Sequence, residues 1–79
     1  METTTATVYW RPGCPYCEDL MAGLDPADER ITYRNIWEDP EAAATVRDLQ
    51  DGNELVPTVT VGDQVLTAPS SAELLAVLG

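Results

Sequence analysis

A run of β-branched and aromatic residues, "TATVYW" at 5–10, breaks at Arg11-Pro12-Gly13 and gives way at once to a helical pattern; "ITYRNI" at 31–36 is a second such run. Two strands joined by one helix in so short a space form a right-handed crossover with parallel strands. The helix between them opens with Pro15 at its first position, where a missing N–H costs nothing. Leu20, Met21 and Leu24 give it an apolar stripe, and Gly23 and Pro26 end it. Asp39 caps a second helix with Pro40 at its first position. Ala42, Ala43, Val46 and Leu49 carry its buried face, and Gly52 stops it. "TVTV" at 58–61 and "VLT" at 65–67 flank Gly62-Asp63-Gln64, a hairpin signal. Ser70 to Glu73 reads as a capping box opening a last helix that buries Leu74, Leu75 and Leu78.

The resulting order is β-α-β-α-β-β-α. It predicts an α/β fold with a mixed four-stranded sheet, the late hairpin adding antiparallel strands to the parallel pair, and three helices on its two faces. Sites in such sheets lie at the carboxyl ends of the parallel strands, where the loop "RPGCPYC" falls.

With 79 residues the chain is expected to be one domain, 1–79, with a small core; at this size only about 60% of the unfolded surface is buried. No uncharged apolar run approaches the roughly 18 residues of a membrane span. The amino terminus has no basic segment followed by an apolar one, so a cytoplasmic location is expected. Fourteen acids against four basic residues, a formal net charge of −10, set the surface against nucleic acid and anionic membranes as partners. The basic residues, Arg11, Arg30, Arg34 and Arg47, are scattered and form no patch.

Cys14 and Cys17 are the only cysteines, and there is no histidine. Positions i and i+3 of a helix are roughly 5–6 Å apart, within the span of a disulfide. As a staple, a loop of about four residues removes only roughly 2 kcal/mol of unfolded-state entropy. As a zinc site, the pair supplies two of the four ligands usually needed. A redox pair suits the position better, because the dipole and unpaired N–H groups at a helix amino terminus favour a thiolate at Cys14, with Arg11 as a possible counter-charge and Glu18 and Asp19 opposing. Cys14 is then expected to be the exposed attacker and better leaving group, with Cys17 one turn further in.

"WRPGCPYC" at 10–17, "LVPTV" at 55–59 and "LTAPSSAEL" at 66–74 together resemble the glutaredoxin-type members of the thioredoxin superfamily, and among them most closely the mycoredoxins. The resemblance covers essentially the whole chain. It implies a thioredoxin-like fold and a thiol-disulfide oxidoreductase with Cys14 as nucleophile and Cys17 as resolving thiol. Val56-Pro57 matches the family's loop before a cis-proline, whose backbone pairs with an extended thiol substrate. From sequence alone a trans proline opening an edge strand is the ordinary reading. Arg11, Pro15, Tyr16, Thr67, Pro69 and Ser70 fall where the family binds its thiol.

Glutathione-using relatives carry a lysine before the cysteine loop, and a Gly-Gly and acid before the last helix. Here Arg11 stands near the first place, and Thr67-Ala68-Pro69-Ser70 replaces the second. An anionic thiol would approach a surface of net −10 with little basic help, so a neutral thiol such as mycothiol is expected in place of glutathione as reductant, with no bound cofactor or metal. The other expected partners are proteins carrying a thiolated cysteine or a disulfide, and the chain is expected to act as a monomer. Two alternatives stand beside this reading: a protein electron donor of the ribonucleotide-reductase type, and a non-enzymatic metal or iron–sulfur carrier built on a dimer. Tyr16 is expected to line the substrate groove. Trp10 and Trp37 are expected to fill core or loop-edge space in a chain without phenylalanine.

Overall fold

The alternation of strand β1 (Ala6–Trp10) sets the two-sided architecture of the computed structural model, which describes residues 4–79. Ala6 and Val8 are buried on one face of the strand and Tyr9 on the other, as the two-residue period of a pleated strand requires. Strand β2 (Ile31–Asn35) runs parallel to β1, in register from Ala6 opposite Ile31 to Trp10 opposite Asn35. Strand β3 (Thr58–Val61) lies antiparallel on the other side of β1, with Val59 opposite Val8. Strand β4 (Gln64–Thr67) pairs antiparallel with β3. The sheet order is β2-β1-β3-β4, a mixed thioredoxin-like sheet with the predicted element order.

Helices α1 (Pro15–Ala22) and α3 (Ser71–Leu78) cover one face, where Leu20, Leu24, Leu74 and Leu78 pack on Val8, Val59 and Val61. Helix α2 (Pro40–Leu49) covers the other with Ala42, Ala43 and Val46 over Tyr9 and Ile36. The end of α1 comes so close to the start of α3 that a Cβ on Gly23 would collide with the Ser71 side chain. That approach brings the cysteine-bearing helix beside the β4–α3 loop.

Four local expectations are corrected. Gln64 belongs to β4, opposite Val61, which leaves a two-residue turn at Gly62-Asp63. Leu75 is exposed, because Leu74 and Leu78, four apart, already define the buried line of α3. Leu49 is the last residue of α2 and is also exposed. The stop after it begins one residue earlier than expected, at Asp51 (φ 56°), and is completed by Gly52 (φ 91°), whose N–H reaches back to the Arg47 carbonyl at 2.7 Å. No helix among the described residues is long and apolar enough to cross a membrane.

Candidate active site

The loop after β1 turns through Gly13 (φ 75°) and delivers Cys14 as the cap of α1. Cys14 is in extended backbone, and its Sγ accepts the Cys17 backbone N–H at 3.3 Å, with Pro15 at the first helical position. A sulfur in this place faces the amino-terminal end of the helix dipole and takes one of its orphan N–H groups, an arrangement suited to negative charge. Both cysteines are free thiols. Cys17 is fully enclosed; burial above all, and then its hydrogen bond with Cys14, push its thiol up to about 12, while the backbone and charge of Arg11 pull the other way. Cys17 therefore rests protonated at neutral pH. Cys14 is not the exposed sulfur the sequence predicts: the residue is only 4% accessible.

What covers Cys14 comes from the loop before β3. Its thiol lies 3.7 Å from the Val56 carbonyl, and the Val56-Pro57 bond is cis, in keeping with the resemblance. Pro57 is completely buried, and its carbonyl accepts the Ala68 N–H at 2.8 Å, which ties this loop to the β4–α3 loop. Thr58, the next residue, is buried too, and its hydroxyl donates to the Leu55 carbonyl at 2.6 Å.

A groove of about 290 Å³ opens beside the dithiol turn, between α1 and the β4–α3 loop. Tyr16, Leu20, Pro69 and Ser70 line it, and Asp19 and Glu73 contribute the carboxylates. Ser70 caps α3: its hydroxyl accepts the Glu73 N–H at 3.1 Å, and Glu73 returns a carboxylate oxygen to the Ser70 N–H at 3.3 Å. Ala68 in the same wall adopts a left-handed backbone (φ 47°), which turns the chain from β4 toward α3. Arginine is absent from this lining. Arg30, Arg34 and Arg47 pair with Asp28, Asp39 and Glu54 at 2.9, 2.7 and 3.5 Å.

Of the predicted site residues, Cys14, Pro15, Cys17, Val56 and Pro57 gather around the sulfurs, and Tyr16, Pro69 and Ser70 border the groove. Thr67 is outside the groove lining, and its hydroxyl accepts the Gln50 amide at 3.0 Å. Arg11 sits over the Trp37 ring, 5.5 Å from its centre, and donates to the Pro12 carbonyl at 3.1 Å. Trp37 is thus a loop-edge residue, 64% exposed, and no part of the core, whereas Trp10 packs half-buried against the α1/α3 cluster. The sequence reading missed Asp19, Ala68 and Glu73 as groove residues and Thr58 and Gln50 as supports of the Val56 loop. Glu73 was visible only as a capping residue and Asp19 only as a helix acid, since nothing local says that the two meet across a groove. Among the described residues no three histidine, cysteine, aspartate or glutamate side chains converge as a metal site would need.

Comparison with known proteins gives concordant results. The family model for glutaredoxin matches residues 6–66. The chain is 36% identical over 74 residues to Mycoredoxin 1 of Corynebacterium glutamicum strain ATCC 13032, covering 92% of this chain and 91% of that protein. Mycoredoxin 1 of the K051 line of that strain matches to the same extent, 36% over 74 residues.

Proposed function

This chain belongs to the glutaredoxin family and is a thiol-disulfide oxidoreductase similar to mycoredoxins, and on that premise we propose that it reduces mixed disulfides between proteins and a neutral low-molecular-weight thiol, mycothiol in particular. The groove beside the dithiol turn carries this reading: it offers Asp19 and Glu73 and no cation. An anionic thiol such as glutathione would meet like charge there, on a chain of formal net charge −10. A neutral thiol with hydrogen-bond donors meets acceptors instead.

In the proposed reaction the Cys14 thiolate attacks the small-thiol sulfur of the mixed disulfide. A new S–S bond joins Cys14 to the small thiol, the old S–S bond breaks, and the protein leaves as a thiolate that takes up a proton. A second molecule of the small thiol then attacks the Cys14 adduct, releasing the symmetrical small-thiol disulfide and restoring the Cys14 thiolate. Cys17 can resolve the adduct instead: its sulfur attacks Cys14 Sγ, the Cys14–Cys17 disulfide forms, and the small thiol leaves as a thiolate that takes up a proton. Burial favours the protonated form of Cys17, so this residue must give up its proton as it attacks, and the external thiol competes with it at neutral pH. The cytoplasm, a reducing compartment, is the proposed setting, and one chain supplies the whole groove.

The test is a reductase assay on a mycothiol mixed disulfide, coupled to mycothiol, its disulfide reductase and NADPH, beside the matching glutathione system. Turnover with mycothiol alone is expected. Preference for glutathione would sink the thiol assignment, and silence in both would favour a protein electron donor.

A further inference from the structure

We infer that the Thr58 hydroxyl, with the Gln50 amide behind it, is a positioning group for thiol exchange: it fixes the loop that holds the Val56 carbonyl over the Cys14 sulfur. The inference rests on Cys14 being the attacking sulfur. Thr58 is the one fully buried polar side chain among the described residues, in a strand whose other buried positions, 59 and 61, are valines. Burying a hydroxyl is unfavourable unless it is fully hydrogen-bonded, so its presence where valine fits points to its bonds.

Those bonds converge on one loop. Thr58 Oγ1 donates to the Leu55 carbonyl at 2.6 Å and accepts from Gln50 Nε2 at 3.2 Å. The same Gln50 nitrogen donates to Thr67 Oγ1 at 3.0 Å, which joins the end of α2 to the first residue of β3 and the last of β4. The Pro57 carbonyl is held separately by the Ala68 N–H at 2.8 Å. Val56 is therefore pinned from both sides, by the Leu55 and Pro57 carbonyls, and its own carbonyl stands 3.7 Å from Cys14 Sγ. Exchange requires the attacking sulfur and the scissile disulfide to be aligned. A misplacement of about 1 Å can slow such a step up to about a hundredfold. A loop that touches the attacking sulfur is where slack would be felt.

The test is a single-turnover measurement in the Cys17→Ser background, so that only one attack can occur. Its substrate is a cysteine peptide blocked as a mixed disulfide with 2-mercaptoethanol, a probe that does not depend on the identity of the natural thiol. Peptide-thiol release is followed for the parent, Thr58→Val, Thr58→Ser and Gln50→Leu, each with its thermal unfolding midpoint. Thr58→Val keeps the shape and loses the hydroxyl; about tenfold slower release is expected, with Thr58→Ser within about twofold of the parent and Gln50→Leu slowed about threefold. A role in packing alone predicts the reverse order, serine worse than valine. Release from Thr58→Val within twofold of the parent, or equal loss in the serine variant, would overturn the inference. Should Thr58→Val lack a cooperative unfolding transition, Gln50→Leu decides, and an unchanged rate there overturns it. Cys14→Ser is the separate control: release surviving in that variant would remove the nucleophile assignment itself.

Discussion

Helices α1 and α2 begin with the same local device and put it to different uses. Each has proline at its first position and, before it, an extended residue whose side chain accepts an N–H three residues on: Cys14 from Cys17 at 3.3 Å, Asp39 from Ala42 at 3.2 Å. At α2 the acceptor's charge is consumed by the fold. The Arg34 guanidinium grips the second Asp39 oxygen at 2.7 Å and, together with the Ala42 N–H, holds that carboxyl below the usual carboxylate range. At α1 the acceptor is a sulfur that meets the Cys17 amide, the Val56 carbonyl and the Cys17 thiol, none of them charged. The comparison shows one capping motif serving two kinds of side chain: a carboxylate whose charge a guanidinium takes up, and a thiol with no charged hydrogen-bond partner.

The largest effect expected from breaking this contrast comes from Cys14→Ser. Serine is itself a good cap, so the unfolding midpoint should barely move while thiol exchange disappears; a large loss of stability would show that the sulfur is structural after all. Asp39→Ala should do the opposite, costing about 1 kcal/mol in denaturant unfolding and leaving the exchange rate within about twofold. A matching loss of rate would mean that the two helix starts are not separable.

The pH dependence of stability sharpens the same division at its alkaline end. Cys17 has a folded value of about 12 against an ordinary value of 9.0, so the folded chain keeps a proton that the unfolded chain releases. Stability of the reduced protein is thus complete below about pH 9 and declines as pH rises from there toward 12; in Cys17→Ser that arm should flatten. The smallest effect is at the acid end. Because Asp39 is depressed by Arg34, its contribution is present above the ordinary carboxylate range and is lost as pH falls through its lowered value. Arg34→Gln should shrink that acid loss in a urea-unfolding series, because the folded and unfolded values of Asp39 then lie closer together.

Features written in contiguous residues were legible in the sequence. The strands announced themselves through Thr7, Val8 and Tyr9 and through "TVTV". The three helix starts did so through Cys14-Pro15, Asp39-Pro40 and the Ser70–Glu73 box, all present as predicted. The places where reading failed depend on partners far away in the chain. The burial of Cys14 reflects a carbonyl from the loop before β3. Asp19 and Glu73 share a groove only because α1 and α3 meet at Gly23 and Ser71. The end of α2 uses two residues of positive φ, Asp51 at 56° and Gly52 at 91°, and only the glycine was legible as a stop.

The central claim is that Cys14 is the attacking sulfur and that it takes the small thiol from the substrate. Incubating Cys17→Ser and Cys14→Ser separately with a peptide–mycothiol mixed disulfide, then weighing the intact proteins and mapping the modified residue by mass spectrometry, tests it most directly. The account predicts one mycothiol adduct on Cys14 in the first variant and none in the second. An adduct on Cys17 of the Cys14→Ser chain, formed as fast as on Cys14, would contradict it.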